Sequence, residues 1–202
     1  MLELKDLSLA FGDKVIFDHL NFCFQDKGIY IIRGESGKGK TTLLNVIAGY
    51  VTPDAGAVLT DETDRLGYLY QDETLFSNLT VRENLFLKFA AADRGFSFES
   101  LCEEVLERLK VGELIDRKVE LLSGGERQRI QIASMLLDEP NIVLLDEPTS
   151  KLDRNNAENI LEIIKTAFQN KTVIIVTHEE IDYGEHSVSL MLENGGLVFE
   201  QK

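Results

Sequence analysis

"GIYIIRGESGKGKTTLLNVIAG", residues 28–49, passes from an apolar strand into a glycine-rich turn and then into a helix. Its centre, Gly34 to Thr42, matches G-x-x-x-x-G-K-[ST] in the context that gives the pattern meaning, after a strand and before a helix. Glycines let successive backbone N–H groups turn inward and form an anion nest. The helix that follows adds its positive N-terminal end. In such a loop Lys40 is expected to reach the β- and γ-phosphates of a nucleotide, and the Thr41 hydroxyl to be a ligand for Mg²⁺. A plain glycine turn between strand and helix would look similar, but the flanking elements favour a phosphate site.

A second stretch supplies acid groups. "NIVLLDEPTS", residues 141–150, is an apolar strand ending in Asp146, the expected partner of the magnesium ion. Glu147 follows at the carboxyl end of the strand, where ligands sit in open α/β sheets. A carboxylate there can polarise a water for attack on the γ-phosphate. His178 follows another apolar strand, "TVIIVT", and is placed to donate to a γ-phosphate. A histidine there can equally be a surface or capping residue. His19 and His186 have no such context and read as structural.

"LSGGERQR", residues 122–129, opens a helix with two consecutive glycines, although each costs roughly 1 kcal/mol relative to alanine. Ser123 with Glu126 makes a capping box, so the glycines are either incidental or required by something that approaches the backbone closely.

Composition sets bounds. The 202 residues suffice for one sizeable domain, and 44% of them are hydrophobic. The net charge of −14 argues against a general nucleic-acid binder, so no nucleic-acid partner is expected. No apolar run approaches the length of a bilayer span, and the charged start "MLELKDLSLAFG" is unlike a signal peptide. Cys23 and Cys102 match no metal spacing and read as buried free thiols. These features suit a cytosolic protein.

Apolar runs at 15–24, 28–33, 66–71, 141–146 and 172–177 alternate with helical segments near 40–49, 80–91, 100–110, 123–137 and 154–169. The runs 141–146 and 172–177 are nearly uninterrupted, as in strands buried on both faces of a parallel sheet. Thr80 with Glu83, and Ser100 with Glu103, fit capping boxes. Residues up to about 33 are strand-rich, 72–122 hold helices and no convincing strand, and the end turns as a hairpin at Asn194-Gly195. The expected architecture is an α/β P-loop NTPase core with an antiparallel β flank and an inserted helical subdomain, one domain over 1–202.

Taken together and in order, the motifs resemble those of the nucleotide-binding subunit of ABC transporters. The resemblance rests on "GESGKGKTT", Gln71 in "GYLYQDETLF", "LSGGERQR", "IVLLDEPTS", "SKLD" and "VTH", and it covers nearly the whole chain. It implies an ATPase using ATP and Mg²⁺, with ATP held by Phe11, Gly34, Glu35, Ser36, Gly37, Lys38, Gly39, Lys40, Thr41 and Thr42. It implies Thr41, Gln71 and Asp146 as magnesium ligands, and Glu147, His178 and Gln71 as catalytic residues. It implies head-to-tail pairing with a second copy or a similar subunit, in which Leu122, Ser123, Gly124, Gly125 and Glu126 contact the partner's ATP. Ser150 and Asp153 belong to the loop "SKLD", and the helical lobe is expected to dock a separate transmembrane permease, placing the chain peripherally on the cytoplasmic face of the cell membrane. A soluble ATPase of the same family is the alternative. Lys38, Lys151 and Ser134 depart from the family pattern, and only about thirty residues separate Lys40 from Gln71, so the strand-rich lobe is expected to be trimmed. The motif style looks most like the lipoprotein-releasing, macrolide-export and bacteriocin-export groups.

Overall fold

The computed structural model describes residues 1–90, 97–179, 183–184 and 187–200. The chain opens with two antiparallel strands, β1 (Leu2–Phe11) and β2 (Lys14–Phe24), joined by a tight turn. Then come β3 (Ile29–Arg33), the helix α1 (Lys40–Ile47), β4 (Ala55–Leu59) and β5 (Leu66–Leu69). Helices α2 (Val81–Ala90), α3 (Phe98–Arg108) and α4 (Gly124–Leu136) follow. The last third is β6 (Ile142–Asp146), α5 (Arg154–Ala167), β7 (Thr172–Val176), β8 (Ser187–Glu193) and β9 (Gly196–Phe199).

Two sheets result. The six-stranded one has the order β5-β6-β7-β3-β8-β9, parallel except for the final hairpin. The three-stranded one, β2-β1-β4, is antiparallel. The alternation of side chains along a strand decides what each face of the large sheet meets. Ile31, Val143, Leu145, Val173 and Ile175 face α4, α5 and the helical lobe. Ile32, Leu144, Ile174 and Val176 face α1 and the small sheet. Every residue of β6 and β7 is buried, as their unbroken apolar sequences predict. Each aliphatic side chain buried there contributes roughly 1.5–3 kcal/mol.

Several expectations hold. The capping box joins Thr80 and Glu83, whose backbone and side-chain groups exchange hydrogen bonds of 2.8 and 3.2 Å. The terminal hairpin turns at Asn194-Gly195. Among the described residues of 72–122, extended pairing is confined to an isolated bridge between Thr80 and Lys118.

Two details are corrected and one strand is added. Helix α3 begins after Ser97, not at Ser100, because Phe98 is drawn into the apolar core and extends the helix backwards. Cys23 is partly exposed and only Cys102 is buried. Strand β4 escapes sequence reading because "AGAVL" is short and mostly exposed, so its pairing with β1 leaves no apolar signature. His19 pairs with Asp6 on the small sheet at 2.7 Å, a structural surface role; His186 lies outside the described residues.

Candidate functional site

The phosphate loop connects the central strand β3 to α1. Gly39 adopts φ 102° at the N-cap of α1, in the left-handed region that favours glycine. A Cβ at Gly39 would lie 2.5 Å from Ile16 Cγ2, so the loop is also pressed against the small sheet. Lys40 is only 8% exposed, and its ammonium donates to the carbonyls of Gly34 (2.7 Å) and Glu35 (3.1 Å). Lys38 points elsewhere and pairs with Glu35 at 3.4 Å.

The neighbouring strand ends supply the acids. Strand β7 lies between β6 and β3, so Asp146 and His178 emerge at the same sheet edge as the phosphate loop. Thr41 Oγ1 donates to Asp146 Oδ1 at 3.2 Å. Burial raises the Asp146 carboxyl above its ordinary value, and the Thr41 hydrogen bond opposes that shift. Glu147 sits at φ 50°, in a region that costs a non-glycine residue energy and turns the side chain out of the sheet. His178 Nδ1 lies 2.9 Å from both Glu147 carboxylate oxygens. The hydrogen bond and charge of Glu147 raise the His178 pKa.

Lys40, Thr41, Glu147 and His178 line one cleft of about 490 Å³ together with Phe11, Ser36, Gly37, Gly39, Thr42 and Gln71. Phe11 is 55% exposed, not packed as a strand residue. Gln71 also lines the adjoining hollow with Thr41 and Asp146. Two residues of the cleft, Lys14 and Ile16, carry no motif and escape sequence reading. Their signal is position alone, on the strand that begins three residues after Phe11.

The stretch Leu122–Glu126 is not part of this cleft. Leu122 is buried in the helical-side core. Ser123 and Glu126 form the expected capping box at the start of α4, and those bonds lower the Glu126 pKa. The two glycines differ. A Cβ on Gly125 would lie 2.3 Å from Asn156 Oδ1 of α5, so a side chain there requires Asn156 to swing aside, and glycine admits the close approach of α4 to α5. Gly124 is exposed, and the nearest atom to its added Cβ is Leu152 Cδ2 at 3.8 Å. Ser150 Oγ donates to the Glu147 carbonyl at 3.1 Å, and Asp153 caps α5 through the Asn156 N–H at 3.0 Å.

The family profile described as ABC transporter matches residues 17–150, most of the chain and all of its phosphate-loop and acidic-strand apparatus. The chain belongs to the ABC transporter family. It is 30% identical to the putative hemin import ATP-binding protein HrtA of Staphylococcus haemolyticus, over 94% of this chain and 96% of that one. It is 34% identical to the lipoprotein-releasing system ATP-binding protein LolD of Treponema denticola, over 96% and 93%. Some family members are longer: the match to the spermidine/putrescine import ATP-binding protein PotA of Chromobacterium violaceum, at 35% identity, covers 89% of this chain and 53% of that protein. Among solved ABC structures, the dimeric post-hydrolysis state of the ATP-binding cassette MJ0796 bound to ADP and Pi superposes with a TM-score of 0.85 at 28% identity, covering 100% and 98%.

Proposed function

We propose that the cleft holds ATP with its terminal phosphate at Lys40, beside the metal-holding Asp146, and that Glu147 activates the attacking water. The chain is an ATP-binding, ATP-hydrolysing subunit of an ABC transporter. What carries the site assignment is the convergence of Lys40, Thr41, Gln71, Glu147 and His178 on one cleft from four separate segments. The backbone N–H groups of residues 36–42 cradle the phosphates at the start of α1. Lys40 exchanges its carbonyl partners for phosphate oxygens, and Phe11 stacks on the adenine. Asp146, the Thr41 hydroxyl and the Gln71 amide are all hard oxygen donors, a set that suits magnesium. They would hold Mg²⁺, which neutralises phosphate charge when bound. Glu147 holds a proton-accepting oxygen near the cleft, and His178 keeps that carboxylate oriented until it turns to the phosphate.

ATP then joins two chains. The exposed start of α4, with Ser123 and Gly124, covers the ATP of a partner subunit, and Ser150 and Asp153 line the same contact. Residues 1–202 act as one ATPase domain whose helical lobe docks a separate membrane permease. Among the described residues no helix is long and apolar enough to cross a membrane.

Replacing Glu147 with glutamine keeps the shape of the site but removes the base. ATP binding is expected to persist while steady-state hydrolysis falls roughly 100-fold or more. Normal turnover in that variant rules out Glu147 as the water-activating group.

A further inference from the structure

Lys14 stands in the cleft without a motif to explain it. It opens β2 directly across the turn from Phe11. Its ammonium donates to the Gly37 carbonyl at 2.9 Å. An ammonium carries three donors, so two remain after that bond. Among the described residues it has no carboxylate within ion-pair distance, in a chain of net charge −14. Lys38, the extra lysine inside the phosphate loop, is by contrast neutralised by Glu35 and lies off the cleft wall.

Burial grades along the cleft. Phe11 and Lys14 are exposed, whereas Lys40 is buried. A nucleotide with its base on Phe11 and its last phosphate at Lys40 passes its ribose and α-phosphate by Lys14. We propose that Lys14 is a nucleotide-holding residue whose ammonium bridges the Gly37 carbonyl and the α-phosphate of the bound adenine nucleotide. This rests on the assignment of the cleft to ATP. The α-phosphate is common to ATP and ADP, so Lys14 holds substrate and product alike and sets affinity, not turnover.

Calorimetric titration of ATP, ADP and adenosine into the wild-type chain, Lys14→Met, Lys14→Gln, Lys14→Arg and Lys40→Ala tests this. Both neutral variants are expected to weaken ATP and ADP by the same factor, roughly fivefold for a solvent-exposed charge pair. Adenosine affinity should not change, Lys14→Arg should keep wild-type affinities, and the deficit should shrink with added salt. Unchanged ATP and ADP affinity in both neutral variants overturns the proposal. So does a loss confined to ATP, which puts the ammonium at the γ-phosphate, or a salt-independent loss shared by adenosine, which makes Lys14 a staple of the turn. Lys40→Ala separates the two levels. Wild-type ATP affinity there removes the cleft assignment itself, whereas weakened Lys40→Ala beside normal Lys14 variants removes only the role of Lys14.

Discussion

His178 and Glu147 are 31 residues apart in sequence and share two contacts of 2.9 Å. His178 is exposed and the Glu147 side chain largely covered, and together they form a charge-assisted pair on the cleft wall. The pair raises the His178 pKa above 6.5. Its sign in stability follows from linkage: the contribution is fully present below the unfolded value of 6.5 and is lost as pH rises through the raised folded value. Proton NMR titration of the nucleotide-free chain should place His178 above 6.5, and Glu147→Gln should bring it back towards that value. A His178 titration indifferent to Glu147→Gln would mean that the two side chains do not pair in solution. The same residue scale holds the surprise at Gly125. Sequence permits either an incidental glycine or an approach by a ligand, and the side chain that comes within 2.3 Å of its added Cβ is Asn156 of the same chain.

At the scale of elements, α4 and α5 pack through that contact, and both begin with side-chain caps from Ser123 and Asp153. Removing the Asp153 carboxylate leaves the Asn156 N–H without its acceptor. Asp153→Ala is expected to lower unfolding stability by about 1 kcal/mol in urea titrations. Gly125→Ala should destabilise by about 1–3 kcal/mol through overpacking. Adding Asn156→Gly should recover part of that loss, since the clash is with the Asn156 side chain. Additive effects in the double variant would show that the two residues do not meet. These helices were visible as segments in the sequence, because apolar periodicity and caps are local signals. Their mutual approach was not, since nothing local distinguishes Gly125 from Gly124.

For the whole molecule, Gly124 is the cleaner probe of subunit pairing, because a Cβ added there meets Leu152 Cδ2 at an ordinary contact distance of 3.8 Å and displaces nothing. The net charge of −14 opposes association, although salt screens it over about 10 Å at 0.1 M. The isolated chain is expected to sediment as a monomer without nucleotide and to shift to dimer with ATP in the Glu147→Gln form. Adding Gly124→Asp should abolish the dimer while each monomer still binds ATP, since a carboxylate would repel the partner's phosphate. Dimers of the Gly124→Asp form in analytical ultracentrifugation would place the α4 terminus away from the partner's nucleotide.

The contiguous motifs were legible from residues alone. A glycine-rich loop between strand and helix, an apolar strand ending in acids and a capped helix start are built from neighbours in the chain, so their residues stand in order. The alternating strand and helix segments, and the burial of β6 and β7 on both faces, were equally local. The order of strands was not. Only the placement of β7 between β3 and β6 brings His178 to Glu147 and both to the phosphate loop. Only the seating of the small sheet on that loop puts Ile16 against Gly39 and Lys14 against Gly37. Such meetings depend on long-range pairing and crossover connections, which no window of sequence encodes, and it was the tertiary structure that turned scattered side chains into one cleft.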